Sequence, residues 1–452
     1  MSEAIDRLAL FVAETRWDDI PRAVQEHARL VVLDTLGVTL AGAEESEVRQ
    51  LCERLSANAG IGATVLARGF PRADARTAAL LNATAGRSIE LCEGHISVSC
   101  QGAVQILPGA LALGESMRSS GRDLLTALIV GYDVGVRLAA AMTRRPLAHQ
   151  NGQAPLLGAV AAGARMRGLD AAGTSRALRI GATLLLTPSY TNTVAGASAL
   201  NVAAGMSGFA AVLAPELALA GFTAQDEAIE QALGSLVGDG FDATHVLDGL
   251  GTRWEIAHNH FRLRACCNPI YPALDALEDA LAELDAKADD IERIDVATYR
   301  FASVMRATEP PNSFGSRYSL PHAVAALITR GELGYRSFVD EVVRDPAIAA
   351  LRRRVHVAED PVLTAAAPLR PARVTLTLKD GRRTTHAYDS PRRDREAPYE
   401  ERELREKFRQ LAGLVLTPAD VADMESIVAR CDEWSSVTEL TDACRGYETA
   451  TR

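Results

Sequence analysis

The stretch from Ile89 to Cys100, "IELCEGHISVSC", sets Glu90, Cys92, Glu93, His95 and Cys100 close together in an otherwise alanine-rich chain. Three chemistries use such a set. Zinc needs about four ligands in a tetrahedron. Cys92, His95 and Cys100 supply three, but their spacing matches no standard zinc motif, and the adjacent pair Cys266 and Cys267 points its side chains apart. No metal is expected. A cysteine beside His95 would attack as a thiolate, yet no nucleophile elbow or oxyanion-hole motif surrounds it. An acid/base pocket fits better: Glu90, Glu93 and His95 follow a helix end, and carboxylate and imidazole have the proton affinities to move a proton on and off carbon near neutral pH. The plain alternative is a solvated turn with two buried thiols.

A second candidate lies in "RRPLAHQNGQAPLLGAV". His149 precedes a polar turn and a buried helix, where backbone N–H groups and the helix dipole favour a bound anion. His149, Asn151 and Gln153 would ring a carboxylate there, although a histidine before a helix is more often a cap or turn residue. "GASALNVAAG" is a similar entry to a buried helix, with Asn201 as its polar side chain able to face a ligand. "FRLRACCNPIYPALDAL" adds Arg262 and Arg264, either of which can hold a carboxylate bidentately, though exposed arginines usually just solvate a surface.

These groups need a scaffold, and the 452 residues suffice for two unequal domains. Residues 1–261 read as helix after helix, with apolar residues at i, i+3, i+4 and i+7; segments such as "AVAAGA" and "NVAAGMSGFAAVLA" predict buried helices whose backbones approach closely. Residues 262–400 change texture. "IERIDVATY" and "PARVTLTLKDGRRTTHAYD" alternate β-branched and polar residues around a "KDG" hairpin signal, which predicts a smaller α+β domain with an antiparallel sheet. Residues 401–452 are helical again and are expected to pack back on the first domain. The fold class is therefore mainly α.

Composition excludes several partners. A net charge of −10 argues against nucleic acid and anionic membranes. The N-terminal "MSEAIDRLALFVAETRW" is amphipathic and acidic where a secretory segment would be basic, and the longest apolar stretches are interrupted by Gly, Pro, Ser or charge. A cytoplasmic protein with seven reduced cysteines is expected.

Taken together, "VVLDTLGVTLAG", "LLNATAGRSIELCEGH", "ILPGALALGE", "GYDVGVRL", "AHQNGQ", "GASALNVAAG", "ACCNPIYPALDAL", "RYSLPHAVAALITRG" and "RPARVTLTLKDGR" stand in an order that resembles the MmgE/PrpD family, which includes 2-methylcitrate dehydratases, cis-aconitate decarboxylases and iminodisuccinate epimerases. The resemblance implies a homodimer, a small-molecule carboxylate or carbonyl substrate in a cleft between the domains, and no metal or organic cofactor. It also implies removal of a proton from the carbon next to a carboxylate, followed by loss of water, loss of carbon dioxide, or return of the proton to the other face. Enolate-like charge must then be stabilised by groups aimed at the carboxylates.

Carried over by position, Glu90 is the first acid of the family's acid-rich stretch, Cys92 replaces the second and Glu93 is the third. Cys100 stands at a histidine position. His95 and His149 match family histidines; Leu200 and Asn201 stand where a lysine is common, Arg262 replaces another lysine and Tyr271 another histidine. The resemblance thus gives Glu90, His95 and His149 as catalytic, and Cys92, Cys100, Gln153, Asn201, Arg262, Tyr271 and His322 as substrate-binding. Losing two lysines and a histidine points to a substrate less charged than methylcitrate. Dehydration is the leading expectation, with epimerisation or double-bond isomerisation, decarboxylation, and an inactive metabolite-binding descendant as alternatives.

Overall fold

The computed structural model describes residues 2–56, 62–70, 72–395 and 398–449. Two units form: Met1–Ser189, Ala199–Phe261 and Glu400–Arg452 make the first, and Tyr190–Ser198 with Arg262–Tyr399 the second.

The first unit begins with helices α1 (Ser2–Glu14), α2 (Arg22–Gly42), α3 (Ser46–Leu55), α4 (Ala75–Ser88), α5 (Ala103–Met117), α6 (Gly121–Ala141), α7 (Ala154–Met166), α8 (Ala171–Gly181) and α9 (Asn201–Leu219). Side-chain caps set several starts: Asp74 accepts from the Arg76 and Thr77 amides, Ser120 and Asp123 close a capping box, and Asp170 accepts from the Gly173 amide. Helix α7 is buried from Ala154 to Ala164 because its small side chains admit neighbours on every side. A Cβ on Gly163 would lie 1.8 Å from the Ala211 carbonyl oxygen of α9, and one on Gly158 2.5 Å from the Gly131 carbonyl oxygen of α6. Gly163→Ala is therefore expected to force α7 and α9 apart and to cost about 2 kcal/mol, read from urea unfolding followed by the fluorescence of buried Trp254 and Trp434.

Two segments, Gly121–Ala141 and Ser198–Leu219, are long and apolar enough to cross a membrane by length and composition, although Gly, Pro, Ser or charge interrupts both. In the fold they are core helices, 89% and 61% buried over their most apolar windows. The helical unit also contains short antiparallel pairs: β1 (Gly94–His95) with β4 (Asn259–His260), and β2 (Met142–Arg144) with β3 (Gly238–Phe241). Strands this short leave no alternation to read.

The second unit carries a four-stranded sheet of β5 (Ile291–Thr298), β6 (Val355–Glu359), β7 (Ala372–Leu378) and β8 (Arg383–Tyr388), in the order β8-β7-β5-β6. The hairpin turns at Lys379-Asp380-Gly381, where Gly381 takes φ +90. Ile294 faces Leu376 and Val296 faces Val374 across β5 and β7, all four buried. The sheet is mixed, since β6 runs parallel to β5; the expectation of antiparallel pairing holds for the other two pairs. Helices α10 (Tyr271–Leu284) and α11 (Leu320–Arg330) are the longest of the unit's helices among the described residues.

The chain then returns to the first unit through α12 (Glu401–Ala412), whose Leu404, Lys407, Phe408, Leu411 and Ala412 are buried at helical spacing. The Lys407 ammonium donates to Asp34 Oδ1 on α2 at 2.5 Å and to the Leu91 carbonyl at 2.7 Å.

Candidate acid/base site

In the first unit, α4 ends at Ser88 and the chain turns sharply at Glu90, which is buried with φ +56. A non-glycine residue in this region is uncommon and costs about 1–2 kcal/mol. The conformation returns the carboxylate to α4, where it pairs with the buried Arg87 guanidinium one turn back. Cys92 is buried beside it. Glu93 has a different part: Oε1 accepts the Ala103 amide at 2.8 Å, satisfying the start of α5, and Oε2 accepts the Tyr132 hydroxyl at 2.6 Å. Burial, with the Glu93 charge adding, pushes the Cys100 thiol well above its ordinary range, which opposes the thiolate needed for nucleophilic attack.

His95 lies on β1, its amide on the Cys100 carbonyl at 2.8 Å. Its Nδ1 accepts the Ser97 amide at 3.2 Å, so the neutral ring carries its proton on Nε2, 3.4 Å from Glu255 Oε2. Glu255 is held by Arg253 Nε at 2.9 Å and lies 3.6 Å from Arg137 Nη2. Arg137 Nε in turn donates to Asp133 Oδ1 at 3.0 Å, and the Glu255 amide donates to Asp133 Oδ2 at 3.1 Å. Burial opposes ionisation of Glu255, but its contacts with His95 and Arg253 and the charges of Arg137 and Arg253 outweigh it and bring the carboxyl down to about 2. Burial takes Asp133 the other way, up to about 7 despite Arg137. His95, Arg137, Arg253, Glu255, His245 and His258 line a cleft of about 310 Å³.

A polar seam joins this stretch to the His149 turn. Gln105 Oε1 accepts the Gly152 amide at 3.0 Å and the Ser207 hydroxyl at 2.9 Å, while its Nε2 donates to the Gln101 carbonyl at 2.8 Å and approaches Asn151 Oδ1 at 3.4 Å. His149 is buried, and its Nδ1 accepts the Asn151 amide at 3.2 Å, which makes Nε2 the protonated nitrogen of the neutral ring. Gln153, just before α7, is buried with no hydrogen-bond partner for its side-chain amide among the described residues, and it lines a separate cleft of about 250 Å³ with Arg144, Gln150 and Ser99. Val98 and Ala140 border both clefts, so the two adjoin along the end of α6. Asn201 opens α9, buried, on the helix that also carries Ser207.

The remaining candidates belong to the second unit. Arg262 is buried. Arg264 spends its guanidinium on Asp275 and Glu278, both at 2.8 Å, and the Tyr271 hydroxyl donates to the Arg264 carbonyl at 2.6 Å. His322 sits inside the unit with Nε2 3.0 Å from the Ser337 carbonyl and Nδ1 3.1 Å from Arg352 Nη1. Both its ring nitrogens are thus engaged by protein atoms. Among the described residues no three His, Cys, Asp or Glu side chains gather as a metal-holding group.

Residues 6–239 match the MmgE/PrpD N-terminal domain and residues 265–433 the MmgE/PrpD C-terminal domain. The chain belongs to the MmgE/PrpD family. Among its relatives is a cis-aconitate decarboxylase of Aspergillus terreus (strain NIH 2624 / FGSC A1156), 23% identical, with 94% of this chain and 92% of the relative covered. The cis-aconitate decarboxylases of Mus musculus and Homo sapiens are 25% and 24% identical, covering 93% and 94% of this chain and 88% and 91% of their own lengths. For this MmgE/PrpD protein, reading the sequence missed Glu255, Gln105, Arg87 and Lys407, which lie far from their partners in the chain or beside more conspicuous residues. Asp133 and Arg137, four apart on α6, were legible as a helical ion pair but not as neighbours of His95.

Proposed function

We propose that this MmgE/PrpD protein is a cofactor-independent lyase acting at the carbon next to a carboxylate or related carbonyl, removing a proton and expelling water from a substrate less charged than methylcitrate. In this reading the C–H electron pair moves into the carbonyl system as an enolate-like charge while the proton passes to His95. The β-hydroxyl then takes up the proton carried by His95 and leaves as water, with the Nε2–H of His149 donating a hydrogen bond to the departing oxygen. Glu90, Gln153 and Asn201 complete the catalytic and binding set. The observation that carries the reading is Cys100: a buried thiol kept neutral beside Glu93, at a place where the resemblance puts a protonatable histidine. A neutral wall suits fewer substrate charges.

Decarboxylation is the second reading, favoured because the relatives just described bear the name cis-aconitate decarboxylase. One experiment separates them. Purified protein in heavy water is given hydroxy monocarboxylates, their amides, citrate-like acids and cis-aconitate, followed by proton NMR and carbon dioxide release. Loss of water from a monocarboxylate or amide is expected, with deuterium entering only recovered substrate where proton abstraction reverses. Brisk turnover of citrate-like acids would overturn the lower-charge reading, carbon dioxide release would favour decarboxylation, and exchange without net product would favour an epimerase or isomerase. Silence toward every acid would favour a metabolite-binding descendant. His149→Gln is expected to lower turnover at least 100-fold.

A homodimer and a cytoplasmic location belong to the same proposal. Val202, Met206, Phe209, Leu213 and Leu217 form a partly or fully exposed apolar stripe along α9, which supports pairing with a second copy. Met206→Glu is expected to shift the mass in light scattering toward the monomer.

A further inference from the structure

We propose that Glu255 is the positioning residue for His95, fixing its tautomer and ring orientation, with Arg253 and the Arg137–Asp133 pair holding the carboxylate in place. The proposal rests on the reading of His95 as a proton-transfer group. Nothing in the sequence near Glu255 marks it; the geometry does.

His95 Nδ1 is the ring's lone-pair nitrogen, because it accepts the Ser97 amide, and Nε2–H faces Glu255 Oε2 at 3.4 Å. A carboxylate opposite one imidazole N–H fixes ring orientation and stabilises the imidazolium that forms when the other nitrogen takes a proton. Glu255 is itself placed from two directions: Arg253 Nε holds Oε1 at 2.9 Å, and the Glu255 backbone amide is tied to Asp133 at 3.1 Å. Arg137 cannot drift, since it also donates to the Asp248 carbonyl at 2.6 Å and the Arg253 carbonyl at 2.8 Å. The acidic groups of this assembly are buried, but it opens on the 310 Å³ cleft. The charged and titratable groups facing that cleft are Glu255, Arg253 and His258 on the 253–258 segment, Arg137 on α6 and His245 near the end of the 242–247 turn.

One mechanical consequence follows. When a C–H bond of the substrate breaks and its proton bonds to Nδ1, the electron pair stays with the substrate, and the Ser97 amide loses its acceptor. Proton uptake at His95 therefore breaks the Ser97 contact, while the neighbouring Ile96 amide stays on the His258 carbonyl. Val98, next in the chain after Ser97, borders both clefts, so the amide that loses its acceptor lies beside the wall shared by the His95 and Gln153 cavities.

The test uses the full chain labelled with ¹⁵N-histidine and follows His95 by NMR against pH, with His95→Gln to assign its signals. The wild type is expected to show the Nε2–H tautomer. In Glu255→Gln the ring should titrate roughly one pH unit lower, because an opposite charge is gone; in Arg253→Gln, which keeps the carboxylate, it should titrate higher. Glu255→Asp should restore most of the wild-type behaviour. An Nδ1–H tautomer, or titration unmoved in both Glu255→Gln and Arg253→Gln, overturns the proposal. If Glu255→Gln does not fold, Arg253→Gln and the wild-type tautomer still decide. With an exchangeable acid in hand, the pH profile of deuterium exchange should move with the ring. NMR shifts as expected without exchange of any acid would sink the proposed function and leave the positioning role standing.

Discussion

Lys407→Met will lower the unfolding free energy by about 3–5 kcal/mol and loosen the loop that carries Glu90 and His95. The magnitude follows from leaving Asp34 as a buried charge without its cation; both side chains are almost wholly inaccessible. The second effect follows from the Leu91 carbonyl, which accepts from the same ammonium and lies between Glu90 and Cys92. Urea unfolding read by Trp434, fully buried with its indole on the Ile427 carbonyl, measures the first. Faster amide exchange in peptides covering 89–100 measures the second. Adding Asp34→Leu to Lys407→Met should return much of the lost stability, because the uncompensated charge goes with it. A cost below about 1 kcal/mol for the single variant would show that the pair is not the latch described.

The second unit should weaken on acidification between pH 6.5 and pH 4. Burial holds His322 down to about 4, with Arg352 and Arg317 adding against the Ser337 hydrogen bond. Its folded pKa lies below the unfolded value, so the unfolded chain binds the proton first. The stabilisation is complete above pH 6.5 and is lost as pH falls through the folded value, on the order of 3 kcal/mol in all. The three tryptophans lie in the first unit, so exchange protection of α11 is the better probe. His322→Gln, which keeps a donor for the Ser337 carbonyl, should flatten this window. Glu255, held near 2, acts only below about pH 4.5, and it belongs to the first unit, which the exchange of α11 does not report.

The large features of the fold were written in period and composition. The i, i+3, i+4 spacing marked the helices, and the small residues of "AVAAGA" predicted a close backbone approach, which Gly163 makes to α9. "KDG" placed the β7–β8 hairpin. Strand β6 was not legible, because "VHVAE" is short and directly follows a helical run ending at Arg352. At the site, residue types revealed Glu90, His95 and His149 as candidates, but sequence treats Glu93 and Glu90 alike. Only the fold separates a carboxylate capping α5 from one paired with Arg87. His322 illustrates the converse: a histidine in a promising motif is occupied on both nitrogens by its own unit. Glu255, 160 positions after His95, carried no local signal at all.

Lys407 and Asp34 are 373 positions apart. On a ribosome, nearly nine-tenths of the chain must emerge before the ammonium that braces the Glu90 loop exists, and closing so long a loop is slow for entropic reasons. Until then Asp34 has every reason to stay in water. The acid-rich stretch met first in synthesis should thus be among the last parts of the molecule to take its working shape.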